Sequence, residues 1–355
     1  MNPSYDHARG SSDTLGIGII GSGYMALTYA EALARHVRGG SLVAIGGGSR
    51  ASGLAAHYGV PAYPSHEELL TDPAVDAVII TTPDQVHAEQ TLAAAAAGRH
   101  VLVEKPMAPS VAECDRMLAA CAAAGVALAV VKTERYRRTS RKARELLDAG
   151  RVGAIRMLTT TSCFSELVGA EILTSRPWYR DPAGGGLFMS MAAHNTDLLL
   201  WLMGKPALSV YAQAGSYSEL GAPDLSVMAQ IGFAGGAMAQ MLISAEMPPP
   251  SLRSSEVRFQ VIGSSGIIDF ENYEFLDLGQ GDSWERLVTP PRFDYMADPT
   301  SPQRLEPHIG VVQGFVDALL TNSPPPVTGM DGRAAVAICE ACLRSAASGQ
   351  VVQLV

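Results

Sequence analysis

The sequence predicts an α/β protein with two domains, and three observations support this prediction. The chain has 355 residues, and a domain commonly takes about 150. Between residues 15 and 131, short apolar runs alternate with helix-like stretches, which is typical of a doubly wound parallel sheet. From residue 207 onward, alternating polar and apolar segments recur about every ten residues, which indicates an antiparallel sheet. We therefore expect a flexible tail at 1–14, a parallel-sheet domain at 15–131 and a second α/β domain at 132–355.

The elements of the first domain follow from the spacing of its apolar residues. Runs rich in Val and Ile predict buried parallel strands, because both faces of such a strand are covered. Several of the helix-like stretches between them end at a Gly, where a left-handed cap costs little. The predicted strands are 15–20, 42–45, 77–80, 100–103 and 126–131, and the predicted helices are 26–36, 52–57, 66–70, 87–97 and 111–124.

The second domain begins with a basic helix and continues with segments that alternate between polar and apolar residues. Alternation with a period of two predicts strands that are covered on one face. The predicted helices are 139–149, 187–203, 310–320 and 331–348, the predicted strands are 154–163, 207–214, 225–233, 237–245, 256–263, 266–270 and 275–278, and the Pro-rich segments 247–250 and 290–307 are predicted loops.

Composition and charge exclude several classes of function. The chain carries 26 Lys and Arg residues against 35 Asp and Glu, for a net charge of −9, which disfavours nucleic acid and an anionic membrane surface as partners. The longest apolar run, 117–131, is interrupted by Gly125 and is shorter than the roughly 20 residues of a membrane-spanning helix. Five cysteines form no even framework, and the first residues contain no apolar signal-peptide core. We therefore expect a soluble cytoplasmic protein with free thiols and no bound metal, Cys339 and Cys342 included.

The first glycine cluster directly follows the first predicted strand. Residues 21–26, GSGYMA, fit the pattern G-x-G-x-x-A at a strand-to-helix turn. In this pattern Gly21 permits the tight turn, Gly23 lets a pyrophosphate approach the backbone, and the small Ala26 lets the helix pack closely. The helix N-terminus offers free N–H groups to the phosphates. The motif predicts a dinucleotide site, with a plain tight turn as the alternative, and its expected binding residues are Gly21, Gly23, Tyr24 and Met25.

The end of the second predicted strand indicates which dinucleotide binds. An Asp or Glu there would bind the adenosine ribose hydroxyls of NAD. The chain instead has three glycines at 46–48 followed by Ser49 and Arg50, and a hydroxyl beside a guanidinium suits the 2′-phosphate of NADP. We therefore favour NADP over NAD, with Ser49 and Arg50 as ligands. In the alternative, Ser49 caps a helix and Arg50 is a solvated residue of its first turn.

Polar residues follow the next two predicted strands. The strand at 77–80 is followed by TPDQVH at 82–87, at the edge where ligands bind in open sheets, and the next strand ends in EKP at 104–106. To act as a base near neutral pH, Lys105 needs its pKa lowered from about 10.4 to about 7–8 by burial. Glu104 opposes that lowering but can hold the side chain in place, and an ordinary surface ion pair is the alternative. The expected cofactor-binding residues here are Thr82, Pro83, His87, Glu104 and Lys105.

With G-x-G-x-x-A, T-P-x-x-x-H and E-K-P in this order, the chain resembles the Gfo/Idh/MocA oxidoreductase family. WYRDP at 178–182, the Gly triplet at 184–186 and the C-terminal segment 324–332 are similar to further segments of that family. The resemblance covers nearly all of residues 15–355. It implies an NAD(P)-binding Rossmann domain, followed by an α/β domain with a large, mostly antiparallel sheet through which a homodimer or homotetramer forms.

The resemblance also implies an activity, the reversible transfer of hydride between NAD(P) and a hydroxyl or carbonyl carbon, usually of a sugar or cyclitol. Lys105 matches the family's EKP lysine, with His194 as the second polar catalyst and Asp197 near it. Ser190 and His194 stand at the positions of the family's D-x-x-x-H, so a neutral hydroxyl replaces a carboxylate and Lys105 is the main candidate for the base.

Two alternatives to this activity stay open. One is NAD-dependent glycosidase chemistry through a keto sugar. The other is a non-catalytic NAD(P)-binding sensor, which needs neither Lys105 nor His194.

Overall fold

The computed structural model describes residues 14–181, 184, 186–291 and 300–354. The described residues form two units: 14–136 with 300–333, and 137–291 with 334–354. Apart from Thr14, the predicted tail at 1–14 lies outside the described residues.

The first unit contains the predicted parallel sheet. Its strand order is β3-β2-β1-β4-β5-β6, and every neighbouring pair among these strands is parallel. The order reverses between β1 and β4, which is where open sheets of this kind bind ligands. The strands are β1 (Leu15–Ile20), β2 (Gly40–Gly46), β3 (Ala62–Tyr63), β4 (Ala77–Ile80), β5 (His100–Val103) and β6 (Leu128–Val130), and the helices are α1 (Tyr24–Arg35), α2 (Ala51–Tyr58), α3 (His66–Leu70), α4 (His87–Ala96) and α5 (Val111–Ala124).

The second unit contains the predicted antiparallel sheet, of which β7 and β10 are the one parallel pair among its described strands. Its order is β14-β13-β12-β11-β7-β10-β9-β8-β15. The remaining elements, in chain order, are α6 (Arg138–Asp148), β7 (Ile155–Ser165), α7 (Glu166–Ser175), α8 (Gly186–Met203), β8 (Ala207–Gly215), β9 (Ser226–Phe233), β10 (Met238–Met247), β11 (Arg258–Gly263), β12 (Ile267–Glu271), β13 (Phe275–Gln280), β14 (Ser283–Val288), α9 (Pro302–Leu320), α10 (Gly329–Ser348) and β15 (Val352–Gln353).

Helix α9 differs from the prediction in two ways. It begins at Pro302, inside the segment 290–307 that its proline content marks as a loop, because the first turn of a helix needs no N–H from proline. It also belongs to the first unit, where Phe315 and its neighbours share one buried cluster with Ile17 and Tyr29. The second domain predicted at 132–355 therefore differs from the structure over the described residues 300–333.

Helix α8 carries the predicted catalytic residues of the second unit and is largely buried. Along residues 186–199, His194 alone is not fully buried. Within the described part of the chain, no helix has both the length and the apolar composition that a membrane crossing requires.

Candidate functional site

The glycine turn after β1 leaves open space next to the N-terminus of α1. Gly21 has φ +104°, and a Cβ there would lie 2.6 Å from the Thr81 hydroxyl oxygen, so the turn requires glycine. A Cβ on Gly23 would meet nothing closer than a guanidinium nitrogen of Arg50, at 3.8 Å. Gly23 is also the N-cap of α1 and provides no side-chain cap. The first N–H groups of α1 therefore face a space that suits a diphosphate.

The end of β2 packs against this turn. Gly48 has φ +82° and lies so close to the Ser22 hydroxyl that a Cβ would clash with it. The same hydroxyl accepts a hydrogen bond of 3.2 Å from the backbone N–H of Arg50. Ser49 and Arg50 are both exposed, and the N-cap of α2 is Arg50, without a side-chain cap. Ser49 therefore does not cap α2, and the Arg50 guanidinium is available to an anion at the turn.

His87 ties together the loops that follow β4 and β5. Its Nδ1 lies 3.1 Å from the Pro106 carbonyl oxygen and its Nε2 lies 2.9 Å from the Thr82 carbonyl oxygen. Burial lowers the pKa of His87, and the neutral ring donates only one of these two hydrogen bonds. In the same loop the Thr82 hydroxyl donates to Gln90, and Pro83 is exposed. His87 thus holds the loops after β4 and β5 together at this edge of the sheet.

Glu104 and Lys105 follow β5 directly. Oε1 of Glu104 accepts a 2.5 Å hydrogen bond from the phenol of Tyr29, and Oε2 accepts one of 3.0 Å from the backbone N–H of Lys105. Glu104 is buried, whereas Lys105 is half-buried. Burial, followed by the nearby Glu104 charge, raises the pKa of Tyr29 well above its usual value, so the phenol is a hydrogen-bond donor at all physiological pH values. Both oxygens of Glu104 are engaged in fixing the backbone that carries Lys105.

Arg304 of α9 is a residue of this region that the sequence did not indicate. It is 5% exposed, and it donates a 2.7 Å hydrogen bond to the Thr28 hydroxyl. Its guanidinium lies 4.4 Å from the centre of the Tyr24 ring and 3.8 Å from the Met25 sulfur. Tyr24 and Met25 are thus held against α9. Nothing local indicated this contact, because α9 returns to the first unit from far along the chain.

Asp84 is another residue that the sequence did not indicate. It begins the short 3₁₀ helix Asp84–Val86 after β4 and is only 4% exposed. Its carboxylate accepts hydrogen bonds from the backbone N–H groups of Asp84 and Gln85, and its Oδ2 has no partner among the described residues. Burial raises the pKa of Asp84 to about 6, against the opposing influence of the Lys105 cation. Its place in T-P-x-x-x-H is a variable one, so the motif carried no signal for it.

The predicted catalytic residues of the second unit lie along α8. Ser190, His194 and Asp197 follow each other at helical spacings of four and three, which places them on one side of the helix. The Ser190 hydroxyl donates a 2.8 Å hydrogen bond to the phenol oxygen of Tyr179. Tyr179 therefore adds a second hydroxyl at the position where the family resemblance implies a carboxylate. Asp197 is buried, while His194 is half-buried.

The cysteines are placed as packing residues. All five are buried free thiols, and burial raises the pKa of Cys342 well above its usual value. Across the residues that the structure describes, no group of His, Cys, Asp and Glu side chains is arranged to hold a metal ion.

Comparison with known proteins identifies the family. Residues 15–132 match the family described as "Oxidoreductase family, NAD-binding Rossmann fold", and residues 140–269 match the "GFO/IDH/MocA C-terminal domain". The chain therefore belongs to the Gfo/Idh/MocA family, as its motifs predicted. The family consists of NAD(P)-dependent oxidoreductases, and this chain is an enzyme of that class.

Relatives cover nearly the whole chain. A myo-inositol 2-dehydrogenase from Thermotoga maritima is 27% identical over 95% of this chain and 98% of its own. A D-xylose 1-dehydrogenase (NADP(+)) from Haloferax volcanii is 29% identical over 86% of this chain and 89% of its own. The WlbA dehydrogenase from Bordetella pertussis, solved with NADH and UDP-GlcNAcA, is 27% identical with a TM-score of 0.81 over 96% of this chain and 99% of its own.

Proposed function

We propose that this enzyme transfers hydride between a nicotinamide cofactor, NADP in preference to NAD, and a CH–OH carbon of a sugar, cyclitol or related cyclic polyol. The observation that carries the proposal is the anchoring of Glu104. Its hydrogen bond from Tyr29 ties the backbone of Lys105 to α1, the helix that begins at the glycine turn. A lysine at the sheet edge is thereby held in the same unit as a site that fits a dinucleotide.

The residues take the following roles in this proposal. The bound nicotinamide supplies the hydride acceptor or donor. Lys105 takes the proton of the substrate hydroxyl in oxidation and returns it to the carbonyl oxygen in reduction. His194 is the second polar catalyst, in keeping with its partial exposure on α8, and Asp197 lies near it on the same helix. Gly21, Gly23, Tyr24 and Met25 bind the diphosphate, and the edge residues Thr82, Pro83, His87 and Glu104 shape the nicotinamide end.

The preference for NADP rests on Ser49 and Arg50. Both are exposed beside the glycine turn, the chain has no acid between Gly46 and Arg50, and the guanidinium reaches the space over Gly23. A guanidinium binds phosphate through two parallel hydrogen bonds, and a single ribose hydroxyl matches this arrangement less well. The substrate class is supported by the relatives, which include an inositol dehydrogenase and a xylose dehydrogenase.

A nicotinamide assay tests the proposal. Purified protein is mixed with NADP or NAD and a panel of sugars, inositols and cyclic diols, and the absorbance of the reduced nicotinamide is followed. We expect activity with at least one cyclic polyol, and a loss of about 10²–10⁴-fold in kcat for Lys105→Ala. Lys142→Ala, on the exposed face of α6, is the matched control and retains activity. Unchanged activity of Lys105→Ala would refute the assigned base.

We also propose that a second copy of the chain covers the outer face of the nine-stranded sheet. Met238 lies directly opposite Met157, and both are exposed, as are Met228 and Tyr211 on the neighbouring strands. An apolar face of this kind is typical of an interface. Light scattering should show a dimer or tetramer that Met228→Asp together with Met238→Asp converts to a monomer.

We also propose a cytoplasmic location for the protein, since its cysteines are free thiols.

A further inference from the structure

Asp84 and Lys105 lie at the same edge of the parallel sheet. Asp84 follows β4 and Lys105 follows β5, and these two strands are paired up to Ile80 and Val103. His87 ties the two loops together through the carbonyl groups of Thr82 and Pro106. The two residues therefore belong to neighbouring, mutually fixed loops.

Only part of the hydrogen-bonding capacity of the Asp84 carboxylate is satisfied by the described residues. The first N–H groups of its 3₁₀ helix donate to it, yet Oδ2 is buried and has no hydrogen-bond partner among the described residues. A buried carboxylate oxygen without a donor is costly, and such groups are rare in folded proteins. A cation formed beside the carboxylate would offset this cost.

Among the described residues, ionisable groups on several neighbouring elements lie near Asp84. Lys105, at the end of β5, favours the charged form of Asp84, and Glu113, in the first turn of α5, opposes it. His87, at the start of α4, is buried and its pKa is lowered, so it adds no charge at neutral pH. Lys105 is therefore the cation that acts on Asp84.

Glu104 is adjacent to Lys105 in sequence, but its carboxylate oxygens both already accept hydrogen bonds. One of its oxygens accepts from Tyr29 and the other from the backbone of Lys105. Of these two acids at the edge, Asp84 is the one that retains an unused buried oxygen.

We propose that Asp84 is a positioning residue for Lys105, and that its buried carboxylate stabilises the ammonium that Lys105 becomes when it takes the substrate's hydroxyl proton. The proton passes from the hydroxyl to the lysine amine, the hydride leaves the same carbon for the nicotinamide, and Asp84 keeps its charge. Asp84 thereby sets the pH above which Lys105 is a base. This inference rests on the proposed function only in naming Lys105 as that base.

The direct test measures the pKa of Lys105 without any turnover. The chain has only four lysines, at 105, 132, 142 and 205, so lysine labelled with ¹³C at Cε gives four NMR signals, and Lys105→Met assigns one of them. Asp84→Asn removes a negative charge near the ammonium, and we expect the pKa of Lys105 to fall by about one unit or more. Glu113→Gln makes the same charge change on a different element, in the first turn of α5, and we expect it to shift the pKa of Lys105 by less than half as much. A pKa of Lys105 that Asp84→Asn leaves unchanged would overturn the proposal.

The second test is the pH profile of kcat/KM for oxidation. The acidic limb reports the loss of a proton from the base, so Asp84→Asn should move that limb to lower pH by the same amount as the NMR shift. A lower kcat without a moved limb indicates a merely structural role and counts against the proposal. Where the NMR signal moves and the limb does not, the Asp84–Lys105 interaction stands and the assignment of Lys105 as the base fails.

Discussion

The phenol of Tyr29 on α1 donates a 2.5 Å hydrogen bond to Oε1 of Glu104, at the end of β5. The bond joins the helix that begins at the glycine turn to the backbone that carries Lys105, and both partners are buried. In the proposed function, the diphosphate of the dinucleotide is bound at the first of these places and its nicotinamide end at the second. Tyr29 therefore fixes their separation.

Tyr29→Phe tests this relationship. Removing the phenol oxygen leaves a buried carboxylate one donor short, which costs about 1–3 kcal/mol of unfolding free energy, and Lys105 loses part of its support. We expect a lower melting temperature and a lower kcat. Tyr58→Phe is the control, because its phenol also donates to a glutamate, Glu31, at 2.8 Å, but away from the edge. Equal effects of the two variants on kcat would contradict the role of Tyr29.

Gly23→Ala separates binding from folding. A Cβ at Gly23 meets nothing within 3.8 Å and the backbone there is extended, so the variant should fold with an unchanged melting temperature. The added methyl group occupies the space expected for the diphosphate, and we expect dinucleotide affinity to fall at least about tenfold. Gly53→Ala, in α2, also enters open space and should leave affinity unchanged. Normal titration of Gly23→Ala with dinucleotide would place the diphosphate elsewhere.

Arg50→Ala tests the choice of cofactor. Loss of a guanidinium from a phosphate site removes a charge-assisted hydrogen bond worth about 1.5–3 kcal/mol, so KM for NADP should rise about 10- to 100-fold while KM for NAD changes little. Arg35→Ala, which removes a guanidinium paired with Glu31 on α1, is the control. An enzyme that prefers NAD and is insensitive to Arg50→Ala would show that Ser49 and Arg50 are ordinary surface residues.

The stability of the first unit should depend on pH through Asp84. Burial raises the pKa of this group from 3.8 to about 6, so the folded state binds the proton more tightly than the unfolded state. Its ionisation then destabilises the fold progressively between about pH 4 and pH 6, and fully above pH 6. At pH 8, Asp84→Asn should raise the free energy of unfolding by about 1–3 kcal/mol, and the melting temperature with it. At pH 4 the variant should leave the melting temperature unchanged. An equal difference in melting temperature between Asp84→Asn and the unchanged protein at pH 4 and pH 8 would exclude the ionisation of Asp84 as its cause.

Local pattern predicted most of the fold. Strands β1, β4 and β5 and helix α5 have the predicted bounds, because each is a compact apolar or Ala-rich run between polar or Gly boundaries. The two-residue strand β3 and the strands β14 and β15 were not predicted, and neither was helix α7. A two-residue strand is too short for a period to be visible, and β14 alternates weakly because four of its six residues are exposed and none is buried.

The site was predictable where a motif carried it. Gly21, Gly23 and Lys105 follow from patterns whose chemistry depends on local spacing. The Tyr29–Glu104 bond, the contact of Arg304 with Tyr24 and the burial of Asp84 each join segments distant in sequence or depend on what packs over them. No local pattern encodes such contacts, because they arise only when the chain has folded.

Ser190 and Tyr179 together test how α8 works without a carboxylate at position 190. Their hydrogen bond of 2.8 Å places two hydroxyls on the side of the helix that carries His194. If His194 is the second polar catalyst, His194→Ala should lower kcat by about 10²–10⁴-fold. Ser190→Ala removes only a neutral hydrogen bond and should cost less than about tenfold, with a loss of about 1 kcal/mol in stability. Ser190→Asp adds a negative charge near the imidazole, which raises its pKa and should move the pH profile of the reaction to higher pH. A profile that Ser190→Asp leaves in place would show that His194 does not exchange a proton in the reaction.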